Sequence, residues 1–306
     1  MAIPNSQLET WAKQGATVTS KQTHESIRNA LKYVDSPIKY LINSGSAEIY
    51  LQGSYKNHTN IRGDSDVDVV VELNTIFGHN SHKLSNDQQV IHSRTYTSAT
   101  YKWEDFRSDV ISALENYYGQ KYVDCSGNKS IKLISNGSRL NADVVPVIKY
   151  RKYSHFKGDN DFHAERGIKL YHRTTGDSII NYPRHHYSNG NDKNSDSKTK
   201  GLFKPVVRVF KNMRSYLVSR GELNDGVAPS YFLEGLIYNV PNEKFIGNYS
   251  DIIFNVLKYL HENPIDDFYC QNEIHPLFGD EDQRWNEIDA KITINAFVQA
   301  WTNWVN

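Results

Sequence analysis

Two aspartates set one residue apart in a run of valines, Asp66-Val67-Asp68-Val69-Val70-Val71, are the residues of this chain best suited to chemistry. Side chains alternate faces along a strand, so Asp66 and Asp68 should project to one side, about 7 Å apart in Cα terms, while Val67, Val69 and Val71 enter a core. Carboxylates held so close repel unless a cation lies between them. A hard divalent ion with oxygen ligands suits that place, with Mg²⁺ the natural candidate and Mn²⁺ its substitute. A third acid, Asp143, stands in a similar apolar run, Ala142-Asp143-Val144-Val145-Pro146. If the two runs are neighbouring strands, three carboxylates converge. Such a triad can hold two ions about 3.5–4 Å apart, one activating an attacking hydroxyl and one neutralising a leaving phosphate. The chemistry implied is phosphoryl or nucleotidyl transfer.

Other readings of the acids are weaker. Aspartates spaced by two also occur on solvated strands, but the flanking valines argue for a buried strand. Asp64, Asp66 and Asp68 begin like an EF-hand loop, yet Val69 and Thr75 stand where that loop needs glycine and glutamate. No Gly-x-x-x-x-Gly-Lys-Ser/Thr stretch is present, which removes P-loop kinases and ATPases. The pairs His79/His82 and His185/His186 lack complementary ligands at zinc spacing and read as surface-loop residues.

Phosphate-binding candidates lie on both sides of the acids. Gly53-Ser54 offers a glycine that lets backbone approach an anion, then a hydroxyl and an N–H. Farther on, Lys204, Arg208 and Lys211 recur at helical spacing with Arg214 close by, which reads as a cationic ridge or as an ordinary solvated face. The following Pro229-Ser230-Tyr231 places a hydroxyl and an aromatic ring at a helix start. A triphosphate held by Lys211 and Ser230 would leave its base on Tyr231. Which of Lys204, Arg208 and Lys211 takes the outer phosphates is open.

The elements that must carry these groups follow from periodicity. Residues 5–35 read as helical around a polar stretch at 17–23, and Pro37 ends that pattern. Short β-rich runs follow at 49–51, 67–73, 122–123, 131–134 and 142–148, which predicts a mixed sheet with flanking helices. Residues 189–201 contain nothing apolar and read as an exposed linker, so the boundary is set there: an N-terminal lobe 1–200 including the leading helix, and a helical C-terminal lobe 201–306. In the latter, Val206, Val209, Phe210, Met213 and Leu217 form one stripe, and further helices are expected at 230–238, 250–262 and 281–305.

Composition bounds the rest. The chain of 306 residues carries 35 Lys+Arg against 35 Asp+Glu, and its pI of 7.2 gives no general positive field for nucleic acid. No apolar run approaches the roughly 18 residues of a membrane span, and the start has no signal-peptide pattern, so a soluble cytoplasmic protein is expected. Cys125 and Cys270 read as buried thiols.

Together these motifs resemble the signature of the DNA polymerase β-type nucleotidyltransferase superfamily: Gly53-Ser54, eleven intervening residues, Asp66-Val67-Asp68, and the later Asp143. Gln52-Gly53-Ser54-Tyr55 with Thr59, Ile61-Arg62-Gly63, Ser65-Asp66-Val67-Asp68 and Asp143-Val144-Val145-Pro146 looks most like the CD-NTases, the bacterial cGAS/DncV-like nucleotidyltransferases. The resemblance implies an α+β, bilobal, polymerase β-like fold with the active site in the cleft. It also implies synthesis of cyclic di- or oligonucleotide messengers from nucleoside triphosphates (ATP, with GTP, UTP and CTP as further candidates) in CBASS-type antiphage signalling. Carried over, Asp66 and Asp68 would bind both metals, and Asp143 would complete the metal site and help activate the acceptor hydroxyl. Ser54 would contact the triphosphate, Lys211 and Ser230 would hold its outer phosphates, with Arg208 or Lys204 as the alternative to the lysine, and Tyr231 would stack on the donor base; Gln52, Gly53 and Arg208 count among the nucleotide-binding residues. A template-independent transferase acting on tRNA, other RNA or a protein is the alternative within the same superfamily. The joined bases, linkage, ring size, oligomeric state and need for a regulatory protein partner are not legible.

Overall fold

A computed structural model of the chain describes residues 2–15, 17–62, 66–135, 140–279 and 284–304. Gly63, Asp64 and Ser65 of the quoted motifs, and 281–283 and 305 of the expected last helix, lie outside the described residues. In chain order the elements are α1 Asn5–Ala12, α2 Val18–Leu31, α3 Lys39–Asn43, β1 Ala47–Leu51, α4 Gly53–Asn57, β2 Val67–Asn80, α5 Asn86–Thr95 and α6 Trp103–Tyr118. They continue with β3 Val123–Asp124, β4 Ile131–Leu133, β5 Ala142–Gly158, β6 Asp161–Tyr171, β7 Ser178–Asn181 and α7 Pro183–Lys193, then α8 Phe203–Ser219, α9 Ser230–Tyr238, α10 Tyr249–Glu262 and α11 Glu287–Thr302. No described helix is long and apolar enough to cross a membrane.

The chain folds as two compact units, each assembled from separate stretches. The sheet unit comprises residues 17–52 and 65–183, and the helical unit comprises 1–16, 53–64 and 184–306. A single cut at residue 200 therefore does not describe the chain. The leading segment is two helices, and its first, α1, belongs with the helical unit. The break falls at Gly15, whose N–H donates to the Asn60 carbonyl at 3.0 Å. A Cβ there would stand 2.5 Å from the Ile61 carbonyl oxygen, so only glycine lets the two backbones touch. The expected linker is also folded: its first residues close α7, and Lys193 and Thr199 are buried. Thr199 donates to the Lys193 carbonyl at 2.6 Å, which ties the polar segment down without an apolar side chain.

Within the sheet unit one seven-stranded mixed sheet runs β1-β2-β5-β4-β3, and β6 and β7 extend it from the far half of β5. β2 and β5 are parallel neighbours; the other pairings are antiparallel. β2 is covered on both faces, since Val67, Val69, Val70 and Val71 are all fully buried. On one side α6 is fixed by the Trp103 indole N–H donating to the Pro146 carbonyl at 2.9 Å. On the other, Val70 and Val147 pack with Ile168, Leu170 and Ile179.

The helical unit forms around α8, whose apolar stripe is completely buried together with Val207 on another face. α10 starts at a capping box, Asn248 with Asp251, and α11 at Asn286, whose side chain accepts from the N–H groups of Ile288 and Asp289. Capped ends and buried stripes together account for these helices. Cys270 is buried here, whereas Cys125 in the sheet unit is only partly covered.

Candidate active site

The sheet places the acids by register. Asp68 of β2 lies opposite Asp143 of β5, and Asp143 lies opposite Lys132 of β4, which lies opposite Asp124 of β3. One row across four strands thus reads acid, acid, lysine, acid. Alternation puts Asp68 and Asp143 on the face of Val70, Val145 and Val147, and sends Val67, Val69, Ala142 and Val144 to the other. Adjacent strands stand roughly 4.8 Å apart, so the two carboxylates share one patch. The row ends on Gln52, whose backbone N–H donates to the Asp68 carbonyl at 2.9 Å.

Asp66, one residue before β2, turns to Lys132, with Oδ2 and Nζ 3.4 Å apart. Asp143 accepts the Ser130 hydroxyl at 2.9 Å. Among the described residues, no three His, Cys, Asp or Glu side chains come close enough together to hold a metal ion. By backbone register Asp68 and Asp143 stand side by side, while the Asp66 side chain pairs with Lys132 and that of Asp143 with Ser130. The donor set still fits a hard divalent cation: every side chain offered is an oxygen ligand, and Asp66 is 32% exposed, open to an ion from water. Four residues beyond Asp68 on the same face, Glu72 is fully buried, yet it is held by Arg166 at 2.9 Å and Tyr50 at 2.8 Å. That acid is structural.

The helical unit holds the remaining candidates. Gly53 opens α4 with φ 65°, a conformation that favours glycine, and the Ser54 carbonyl accepts from the Thr59 N–H at 3.0 Å. α4 spans five residues, so it offers the Ser54 hydroxyl and nearby N–H groups more than a helix field.

The cationic ridge is not a solvated face. Lys204, Arg208 and Lys211 are all buried, Lys211 to 1% exposure. Arg208 donates from Nε to the Ala12 carbonyl and from a terminal nitrogen to the His58 carbonyl, both at 2.6 Å. Lys211 Nζ donates to the Thr59 carbonyl at 3.1 Å, and Lys204 Nζ to Asn191 at 2.5 Å. Burial draws Lys204 and Arg208 below their ordinary pKa values. Arg214 donates to the Ser230 hydroxyl at 3.1 Å, which puts a guanidinium beside that expected phosphate contact.

Tyr231 stands one residue into α9. Its ring stacks on His186, centroids 5.2 Å apart and planes 20° apart, and its hydroxyl accepts from Asn272 at 3.0 Å. His186 is therefore a buried residue of α7, not a surface-loop histidine, and His79 lies in β2 with its ring 4.5 Å from that of His92. His186 Nε2 is 2.7 Å from Glu234 Oε2. Burial alone would push the Glu234 carboxyl up, but the His186 bond and charge, Lys211 and the Thr59 hydroxyl outweigh it and hold it below the usual range. Sequence reasoning missed Glu234, His186, Ser130 and Lys132; for Glu234 the visible signal was an acid inside the apolar run Phe232-Leu233-Glu234-Gly235-Leu236.

A Gly-Ser pair opening a short helix, then Asp66 leading into a strand that starts Val67-Asp68, with a third acid in register on the parallel neighbour, is the pattern of a polymerase β-type nucleotidyltransferase. Comparison with known proteins narrows the class. The family model described as the cGAS/DncV-like nucleotidyltransferase C-terminal helical domain matches residues 188–302. A cyclic UMP-AMP synthase of Rhodothermus marinus is 44% identical over 99% of both chains, and a cyclic nucleotide synthase of Staphylococcus haemolyticus is 40% identical over 99% of this chain and 100% of that one. The solved structure of the Rhodothermus marinus enzyme with Apcpp and Upnpp superposes with a TM-score of 0.86 at 43% identity, covering 99% of this chain and 98% of that one. The cyclic dinucleotide synthase of Elizabethkingia meningoseptica with GTP and Apcpp gives 0.75 at 27% identity, covering 99% and 100%. This chain belongs to the cGAS/DncV-like nucleotidyltransferases.

Proposed function

We propose that the chain is a metal-dependent synthase that joins nucleoside triphosphates into a cyclic di- or oligonucleotide messenger, acting in the cytoplasm in bacterial antiphage signalling. The observation that carries this reading is the register of Asp68 opposite Asp143 on parallel strands, in a chain whose relatives are cyclic nucleotide synthases along their whole length. Asp66, Asp68 and Asp143 would hold Mg²⁺ or Mn²⁺, which supplies Lewis-acid activation of the acceptor hydroxyl and charge neutralisation at the leaving pyrophosphate. Asp143 draws the acceptor 3′- or 2′-hydroxyl proton as that oxygen bonds the α-phosphorus of the donor and pyrophosphate departs. A second transfer of the same kind closes the ring.

Ser54 contacts the triphosphate beside Gln52 and Gly53, Ser230 takes an outer phosphate with Arg214 behind it, and Tyr231 supports the donor base. Arg208 and Lys211 act on the phosphates chiefly through the segment at 58–59 whose carbonyls they hold. Since a 44% identical relative is named for joining UMP and AMP, UTP with ATP is the first substrate pair to try. Incubation with all four triphosphates and Mg²⁺ or Mn²⁺, then phosphatase and mass spectrometry, should leave a resistant cyclic product. Label found only on added tRNA or protein, with no small cyclic species, overturns the reading.

A further inference from the structure

We propose that Glu234 is a positioning residue for the nucleotide: one buried carboxylate ties the segment after Gly53-Ser54 to the helix that begins with Ser230 and Tyr231. This rests on the reading of Ser54, Ser230 and Tyr231 as nucleotide-binding residues. Glu234 follows Ser230 by four residues and Tyr231 by three, so all three share one face of α9. Its Oε1 accepts the Thr59 hydroxyl at 2.6 Å, and Oε2 accepts Asn57 Nδ2 at 3.3 Å and His186 at 2.7 Å. On one side Thr59 also donates its N–H to the Ser54 carbonyl. On the other His186 stacks on Tyr231. The Ser54 segment and the Tyr231 ring are therefore each one residue removed from the same carboxylate.

A carboxylate is a poor choice for packing alone, because a buried ion is no more stabilising than apolar groups of equal volume. What it adds is direction. Three donors converge on two oxygens: short charge-assisted bonds fix the Thr59 hydroxyl and the imidazole, and a longer one at 3.3 Å orients the Asn57 amide. The imidazole depends on it, for His186 Nδ1 is buried with no hydrogen-bond partner among the described residues. Ring orientation is thus set by Glu234 and by the stack on Tyr231. An amide at 234 would keep the shape but lose the charge and one acceptor: with its oxygen toward Asn57 and His186 its NH₂ would face Thr59, whose hydroxyl would have to turn round and accept.

The test compares wild type with Glu234→Gln and Thr59→Val, reading KM and kcat for cyclic product, the Kd for a non-hydrolysable ATP analogue, and the melting temperature. Misplacement of a binding group should raise KM and Kd about tenfold in Glu234→Gln and about threefold in Thr59→Val, with kcat within about twofold. Thr59→Val removes one hydroxyl at constant volume, so it decides the matter if Glu234→Gln does not fold. A lowered melting temperature with KM and Kd unchanged in Thr59→Val means a merely structural role and overturns the proposal, as does a loss confined to kcat. Tyr231→Ala separates the two readings: if it binds the analogue as wild type does, the nucleotide assignment itself fails, whatever Glu234 does.

Discussion

Two carboxylates of the candidate site, Asp66 in the sheet unit and Glu234 in the helical unit, are held in opposite ways. In the sheet unit Asp66 is 32% exposed and meets a lysine that is itself 47% exposed, at 3.4 Å. In the helical unit Glu234 is buried beneath three donors, two of them within 2.7 Å. A solvent-screened pair such as Asp66 with Lys132 contributes roughly 0–1 kcal/mol, whereas removing one partner of a buried pair costs about 3–5 kcal/mol. Under the proposed function, the acid that would take an ion from water is the accessible, loosely held one. The acid proposed to keep two segments in register is the sealed one. Glu72 obeys the same rule inside the sheet unit, since it is fully buried and locked by Arg166 and Tyr50.

The largest effect expected from this contrast is on turnover. Asp68→Asn or Asp143→Asn should lower the rate of cyclic product formation by at least about a thousandfold. Melting temperature should hold or rise, because facing like charges are relieved. A thousandfold loss accompanied by a melting temperature that falls by many degrees would break the comparison, placing these acids with Glu234 as structural groups.

Much of the sheet unit was legible because its signal is local. Valines at 67, 69 and 71 and the run from Ala142 mark strands, and the pairing of Asp68 with Asp143 follows once those strands are neighbours. What failed was extent. β2 continues to Asn80 and β5 to Gly158 past a register shift near Leu73, and β6 is hidden by its own charges, because Glu165 and Arg166 are partnered across strands by Lys152 and Arg151. The unit boundaries failed for a related reason: whether the stretch 53–64 joins the sheet or the helices depends on contacts more than a hundred residues away, such as Thr59 with Glu234. The ridge of Lys204, Arg208 and Lys211 has a helical period whether it faces water or backbone carbonyls. Nothing local distinguishes the two.

A smaller effect sharpens the contrast from the side of the cation. Lys132 stands in register between Asp124 and Asp143 and pairs with Asp66, so it occupies the field that an incoming ion would have to share. Lys132→Met should tighten the apparent Kd for Mn²⁺, read from the rise in melting temperature with metal concentration, by about threefold, the scale of one exposed pair. An unchanged or weaker Kd would mean that Lys132 has no part in the charge balance of the acids.

The smallest effect concerns the opposite kind of lysine. Lys193 of α7 is buried, donates to the Val240 carbonyl at 2.8 Å and to Asn242 at 3.0 Å, and stands over the rings of Phe203, Tyr238 and Phe245. Burial pulls its pKa from 10.5 down to about 8. The unfolded chain therefore binds more protons than the folded one between pH 8 and 10.5, and the contribution of this group to stability rises across that window. Tyrosines ionising near the top of the range act the other way, but they are common to wild type and variant and cancel in the difference. Unfolding free energies from urea titrations should thus show wild type gaining on Lys193→Met as pH rises from 8 to 10.5, with little change in the gap below pH 8. A gap that stays flat across the window would put Lys193 in the same screened regime as Lys132, and the distinction between sealed and accessible charges would hold for carboxylates alone.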